Sequence, residues 1–398
     1  MPIEPRIRFD SVSQHPLTFF AMPSESPLEK PAHFTRRQVF QAIPAAAIAT
    51  GLTSFASTRA PSVPIPPLPW PPPLGSPVTE SLRPVIENSQ DVHTHYDKIV
   101  EVAGWMAYEE LPMPNLAVPY GLESKPDVAM DFIMVANTID TAFTDFKTHV
   151  KFQTDYQGAH LSDSEAMFAC IKRAMDTGVP VLDGKFLAKI TRSDMEKIFA
   201  GNIEMPMLDE KTALLQQAGA ILTAKYGGRY YNFIRSCAPR LYDNGNGLVE
   251  RLAAEFPRYN DISNFEGHQI KFYKLTQLGF WQIYAGLGPG GAFRLEDPQK
   301  MTAFADYIVP VALRLMGMTS YSPALEHAIN TYQMIPRDST QEVEIRAHCL
   351  YATALLTDEI NKRRPAERQI IIPQIDARLW THFHTTEWPH HLTRTIMY

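Results

Sequence analysis

The tetrapeptide Phe304-Ala305-Asp306-Tyr307 sets an acid beside apolar residues that recur at helical spacing, Phe304, Ile308, Val311, Ala312 and Leu315, with Pro310 close behind. In a helix continued through Pro310, the proline ring meets the carbonyl four residues earlier, that of Asp306, and offers it no N–H. The backbone at Asp306 is therefore expected to open locally. A carboxylate at such an opening either faces a cavity as a reaction group or caps a break in the helix, and the residues alone leave both readings standing. Asp376, which follows the apolar run 370–372 and precedes Trp380, is a second acid of the same kind; taken by itself it reads as a turn or helix cap.

Other chemistry-bearing groups form weaker patterns. His93 with His95, His382 with His384, and His390 with His391 could each pair on a metal, but no carboxylate stands at a recognisable ligand spacing, so no metal or cofactor is expected. Cys170, Cys237 and Cys349 are odd in number and far apart, which argues against a disulfide framework and for small buried hydrophobes. No Gly-x-Ser-x-Gly elbow occurs. The run Ala285-Gly-Leu-Gly-Pro-Gly-Gly-Ala292 lacks the Gly-Lys-Ser/Thr ending of a phosphate loop and reads as a plain connection between helices.

The elements that must position these acids are predominantly helical. Ser162-Asp163 opens a helix whose Met167, Cys170, Ile171, Ala174 and Met175 share a face, with Gly178 as its stop. Thr191 to Asp194 has capping-box spacing, as does Ser339 to Glu342 ahead of a long helix reaching about Lys362. Helices are expected over 208–218, ended by Gly219, and over 248–256; Asp297-Pro298 has the form of an N-cap and first turn opening a helix to about 317. Strand signals are few, at 230–234, 270–273 and 370–372. With no β-α-β alternation and no internal repeat, the expected fold is mainly α with a few short strands.

The chain has 398 residues, 45% of them hydrophobic and 20% charged, which is a globular composition. Its 37 basic against 43 acidic side chains give a formal charge of -6 and no basic surplus with which to neutralise the phosphates of a long nucleic acid; a small nucleotide remains open. No apolar run is long enough to span a membrane. Residues 1–60 read as a disordered segment in which Arg36-Arg37, followed by a mildly apolar stretch, is similar to a twin-arginine export signal; an Arg- and Ala-containing tail or a transit peptide gives the same pattern. The chain is accordingly expected to be cytoplasmic, or exported if that signal works. Proline crowds residues 61–80 into a stiff linker, and residues 81–398 form the working domain.

Read together, Phe272-Tyr273-Lys274, Met301 through Phe304-Ala305-Asp306-Tyr307, Glu342-Val343-Glu344-Ile345-Arg346, and Ile375-Asp376 with Leu379-Trp380 resemble the FYK, MFADY, EVEIR and ILLD…LW pattern of the queuosine salvage proteins. The resemblance extends from 86–92 to the C-terminal 391–398. It implies an all-helical fold similar to DNA glycosylases and an N-glycosylase acting on queuosine 5'-phosphate, with a small nucleotide or nucleoside as its partner. By match, Asp306 becomes the catalytic carboxylate, Phe304 contacts the base with Tyr307 beside it, and Asp376 helps to hold the nucleoside. Lys274 matches the lysine of FYK and is a partner for the substrate phosphate or for a site carboxylate.

Cleavage of an N-glycosidic bond passes through an oxocarbenium-like sugar, which calls for an ionised carboxylate at the anomeric carbon. The resemblance thus gives Asp306 a chemistry that its surroundings alone leave open. Departures fall where substrate choice is made: Ala377 replaces the family's tyrosine after the second aspartate, Thr381 replaces its acid after the LW pair, and 137–144 has lost aromatic residues. Groups that bind a ligand by hydrogen bonds discriminate by several powers of ten, so a changed ribosyl or base-like substrate and a noncatalytic binding protein are the competing readings. Both carboxylates are retained, which argues against a pure binder.

Overall fold

The 22-residue helix Thr340–Asn361 is the axis of the fold, buried along almost its whole length, with its buried charges Glu344 and Arg346 paired to backbone amides of residues 90–92 and to Asp261. The computed structural model describes residues 68–70, 75–113, 119–384, 386 and 388–398. Around that axis pack the helices Tyr96–Met106, Ile308–Leu315 and Ile372–Phe383. A second group, with Pro126–Thr138 at its centre, includes Asp163–Asp176, Leu208–Lys225, Tyr230–Arg235 and Lys274–Leu287 and encloses the large apolar core around Phe132, Phe233, Phe256 and Phe280. The protein is mainly α-helical, as expected from the sequence.

Three two-stranded antiparallel sheets complete the described structure. Val92–Thr94 pairs with Thr319–Tyr321 in the register Val92 opposite Tyr321, Gln153–Tyr156 pairs with Ala159–Ser162, and Ile262–Phe265 pairs with His268–Lys271. Upstream, Trp70 stacks on Tyr351 at 6.0 Å between ring centroids, and the Pro69 carbonyl accepts from the Tyr351 hydroxyl at 2.7 Å. The segment read as a linker over 61–80 ends in the short helix Pro77–Ser81, whose Ser81 Oγ accepts from Lys271 N. Arg36-Arg37 and the rest of the export pattern lie outside the described residues.

Caps placed several helices correctly. Thr191 and Asp194 form the reciprocal box, with Asp194 N donating to Thr191 Oγ1 at 3.1 Å and Thr191 N donating to Asp194 Oδ2 at 3.0 Å. Ser339 Oγ accepts from Glu342 N at 3.3 Å. Ser162 occupies the N-cap position of Asp163–Asp176, and Gly178 takes the left-handed φ of 81° that follows a helix end.

Four expectations are corrected. The helix from Leu208 runs through Gly219 to Lys225: a Cβ there would stand 2.3 Å from Ala188 N and 2.7 Å from Gly184 O, so this glycine permits a close approach of two helices and does not stop one. Residues 230–234 are helical, because their aromatic rings pack on Phe256 and on the Pro126–Thr138 helix where a strand would have no partner. Residues 370–372 lead into the helix Ile372–Phe383. The single helix expected over 297–317 is a short 3-10 turn Pro298–Lys300, an extended stretch 301–305, and a new helix Ile308–Leu315. Pro310 then lies in the first turn of that helix, where its missing N–H is unneeded.

Replacing Gly219 by alanine must push two backbones apart. Gly219→Ala is expected to lower stability by about 2 kcal/mol, read as a fall in the urea midpoint at unchanged slope.

Candidate active site

The extended stretch 301–305 is buried, yet it belongs to no helix or sheet. Its backbone groups therefore need side-chain partners. Thr302 N donates to Gln277 Oε1 at 2.9 Å, while Gln277 Nε2 donates back to Thr302 Oγ1 at 2.9 Å. Phe304 N donates to Asp376 Oδ2 at 2.9 Å, and the Ala305 carbonyl accepts from Arg346 Nε at 3.2 Å. Three helices thus grip one strand-like segment and deliver its last residues, Asp306 and Tyr307, to the start of the Ile308–Leu315 helix.

Asp306 sits just ahead of that helix, with Oδ1 accepting from Ile308 N at 2.7 Å. Its carboxylate therefore lies at the positive end of a helix, which is the capping arrangement that the residues alone left open. Its pKa is raised, by burial above all, against the smaller opposing pull of the Lys274 charge and the amides of Ile308 and Val309. Asp376 lies inside the Ile372–Phe383 helix, not at a cap, and is buried with one backbone donor. Burial and the neighbouring charge of Asp306 push its pKa up to about 8. Two acids close enough to feel each other have been given different surroundings: Asp306 has the amides of a helix start and the charge of Lys274 in favour of its ionised form, while Asp376 has one backbone donor and the charge of Asp306 against it.

Lys274 opens the Lys274–Leu287 helix and is buried. Its ammonium makes no hydrogen bond or ion pair among the described residues, but its charge acts on both carboxylates. The preceding Tyr273 adopts φ 51°, a left-handed conformation that is strained for a tyrosine. Asp261 holds that turn: its carbonyl accepts from Phe272 N and Tyr273 N, and its Oδ2 accepts from Lys274 N at 3.2 Å. Asp261 is itself gripped by Arg346, whose Nη1 and Nη2 donate to the two carboxylate oxygens at 3.0 and 2.6 Å. The Arg346 guanidinium lies between the rings of Phe272 and Tyr398, 4.0 and 4.5 Å from their centroids.

Phe304 is buried beside the acids, and Tyr307 stacks on His390 at 4.4 Å between ring centroids. The structure thus brings Asp306, Asp376, Lys274, Phe304 and Tyr307 together. Thr381 stands apart: five residues beyond Asp376 on one helix, it projects about 140° around the axis, and it makes no contact with either acid among the described residues. Its carbonyl accepts from His384 Nδ1 at 2.9 Å. Arg346, Asp261, Gln277, His390 and Asp140, whose charge also reaches Asp306, were not singled out as site residues from the sequence. Arg346 follows Glu342 and Glu344 in one charged stretch, so no local signal set it apart. No cluster of three or more metal-ligating side chains occurs among the described residues, and none of the helices described there is long and apolar enough to cross a membrane.

Fold and site together define a mainly helical protein that closes a coupled aspartate pair, with one lysine, between three helices. Residues 121–398 match the profile of the family described as queuosine salvage protein. The chain is 30% identical over 324 residues to the queuosine 5'-phosphate N-glycosylase/hydrolase of Sphaerobacter thermophilus, an alignment covering 81% of this chain and 97% of that protein. It is 28% identical over 351 residues to the protein of the same name from Mus musculus, covering 82% and 100%. The counterpart in Schizosaccharomyces pombe is 26% identical over 297 residues, covering 69% and 84%. The chain belongs to the queuosine salvage protein family.

A folded-state pKa raised above the unfolded value makes Asp376 neutral in stability terms below about pH 4 and increasingly destabilising as pH rises toward about 8. Asparagine keeps the acceptor for Phe304 N and removes the ionisation. Asp376→Asn is expected to raise Tm at pH 8 and to leave it nearly unchanged at pH 4, as read by differential scanning calorimetry.

Proposed function

We propose that this protein hydrolyses the N-glycosidic bond of queuosine 5'-phosphate, or of a closely related nucleotide, and releases the base. The observation that carries the reading is the unlike aspartate pair: Asp306 at a helix start with Ile308 N on its carboxylate, and Asp376 in mid-helix with Phe304 N as its backbone donor. An oxocarbenium-like sugar is stabilised by a negative charge fixed in a dry pocket, and Asp306 supplies it without rearrangement. Lys274 and the helix-terminal amides favour that charge. Queuine is a 7-deaza base with no ring nitrogen at position 7 to accept a proton, so help to the leaving group comes through hydrogen bonds elsewhere. A protonated Asp376, with one oxygen bonded to Phe304 N, offers the base a donor. Phe304 and Tyr307 wall the base, and Lys274, whose ammonium has no partner among the described residues, is placed to meet the substrate's phosphate as well as Asp306.

The names of the relatives support the substrate, and the retained pair supports the reaction. A phosphorylated nucleotide is an intracellular metabolite, which favours the cytoplasmic reading over export. Mass spectrometry of the chain isolated from cells is expected to find no cleavage near Ala60; a terminus cut there reverses the assignment.

The direct test incubates the full chain with queuosine 5'-phosphate, queuosine and common purine nucleotides and follows released base by chromatography. The wild type is expected to release queuine from the 5'-phosphate, and Asp306→Asn to be slower by at least about a hundredfold at unchanged Tm. An Asp306→Asn variant as active as the wild type removes Asp306 from the reaction; release from a different nucleotide alone reassigns the substrate to the altered positions 377 and 381.

A further inference from the structure

His390 is a further titratable group at the aspartate pair, and its geometry gives it a defined tautomer. Its ring lies against that of Tyr307, 28° from parallel. Nδ1 is 2.9 Å from the carbonyl oxygen of His391. A carbonyl only accepts, so Nδ1 carries the hydrogen and Nε2 keeps a lone pair. Nε2 takes no hydrogen bond among the described residues, and the ring is only half-buried, within reach of water. The charges that reach the imidazole are those of Asp306 and Lys151, with the neutral Tyr307 ring and the His391 carbonyl as its other neighbours. Burial lowers the pKa of the ring and so favours its neutral form.

Hydrolysis needs a group to take a proton from water, and the other acids around the pair are committed. If Asp306 accepted that proton, it would surrender the charge that the sugar cation requires. Asp376 already holds a proton. Asp140 faces the cations Lys211 and Arg258. We propose that His390 is the general base of the reaction, its Nε2 accepting a proton from the water whose oxygen attacks the anomeric carbon. The oxygen–carbon bond forms as the carbon–nitrogen bond breaks; the electron pair of that bond leaves with the base. The departing base takes the proton of Asp376, and the proton on His390 returns to Asp376 through solvent, so the protein is regenerated with one water consumed.

This inference rests on the hydrolytic reading above, and the experiment separates the two. The full chain and the variants His390→Phe and His390→Ala are assayed on queuosine 5'-phosphate, with Tm measured for each. Phenylalanine keeps the stack on Tyr307 and has no basic nitrogen. Both variants are expected to lose roughly 10²–10³-fold in kcat with KM within about twofold of the wild type. Added imidazole is expected to restore His390→Ala in proportion to its neutral form and to leave His390→Phe unchanged. A kcat within about threefold of the wild type in either folded variant, or a folded His390→Ala that imidazole does not rescue, overturns the role of His390 while the hydrolase reading stands. A wild type that releases no base from any nucleotide overturns both.

Discussion

The buried pair of Arg346 and Asp261 is the constraint on which the site depends. One guanidinium, flanked by Phe272 and Tyr398, joins the central helix to the Asp261 loop, to the Ala305 carbonyl and to the C-terminal residue. A buried ion pair is weak support for net stability, because two charges must leave water to form it. Its value here is geometric. Removing either partner would strand a charge and a set of backbone groups at once, and the segments released would be those that carry Lys274 and Asp306.

That geometry explains how an irregular backbone survives in the interior. Residues 301–305 give up the hydrogen bonds of a helix or sheet and receive equivalents from Gln277, Asp376 and Arg346. The exchange has a functional consequence. Were 301–305 helical, Asp306 would sit within a turn, roughly opposite the apolar face and with the amides that follow it already paired; because the segment is extended, a new helix starts just after Asp306 and directs its first amides at the carboxylate. Asp376 lies in mid-helix, where its own amides are already used, and so receives only Phe304 N. The unlike surroundings of the two acids follow from where each stands relative to a helix start.

Local signals in the sequence were legible where they are satisfied locally. The cap at Ser339, the box at Thr191 and Asp194 and the left-handed Gly178 each involve residues a few positions apart, so their chemistry is written in their spacing. Gly219 misleads because its reason lies across the helix interface, at Gly184 and Ala188. The stretch after Asp297 misleads for the same reason: its apolar periodicity fits a helix, but its backbone partners come from residues 25 to 72 positions away. At the site, Asp306 drew attention through Pro310, although the proline marks a helix's first turn and not a kink. Lys274 was reached through the family pattern alone, and Asp376, which by itself read as a turn or helix cap, became a site residue only through that pattern, since each is defined by distant partners. His390 lay hidden in a His-His pair whose only visible reading was a metal site.

The departures from the family pattern can be placed on this frame. Asp376 projects into the pair from the Ile372–Phe383 helix, while Ala377 follows it by about 100° and Thr381 by about 140° around the axis. Neither change touches the bond from Phe304 N that fixes Asp376, nor the grip of Arg346 on the Asp306 segment. The aspartate pair is therefore held by contacts on one side of the helix, and the altered residues stand on another. A tyrosine can give way to alanine and an acid to threonine without moving the carboxylates, so in the reading proposed above substrate choice is free to diverge while the reaction stays in place.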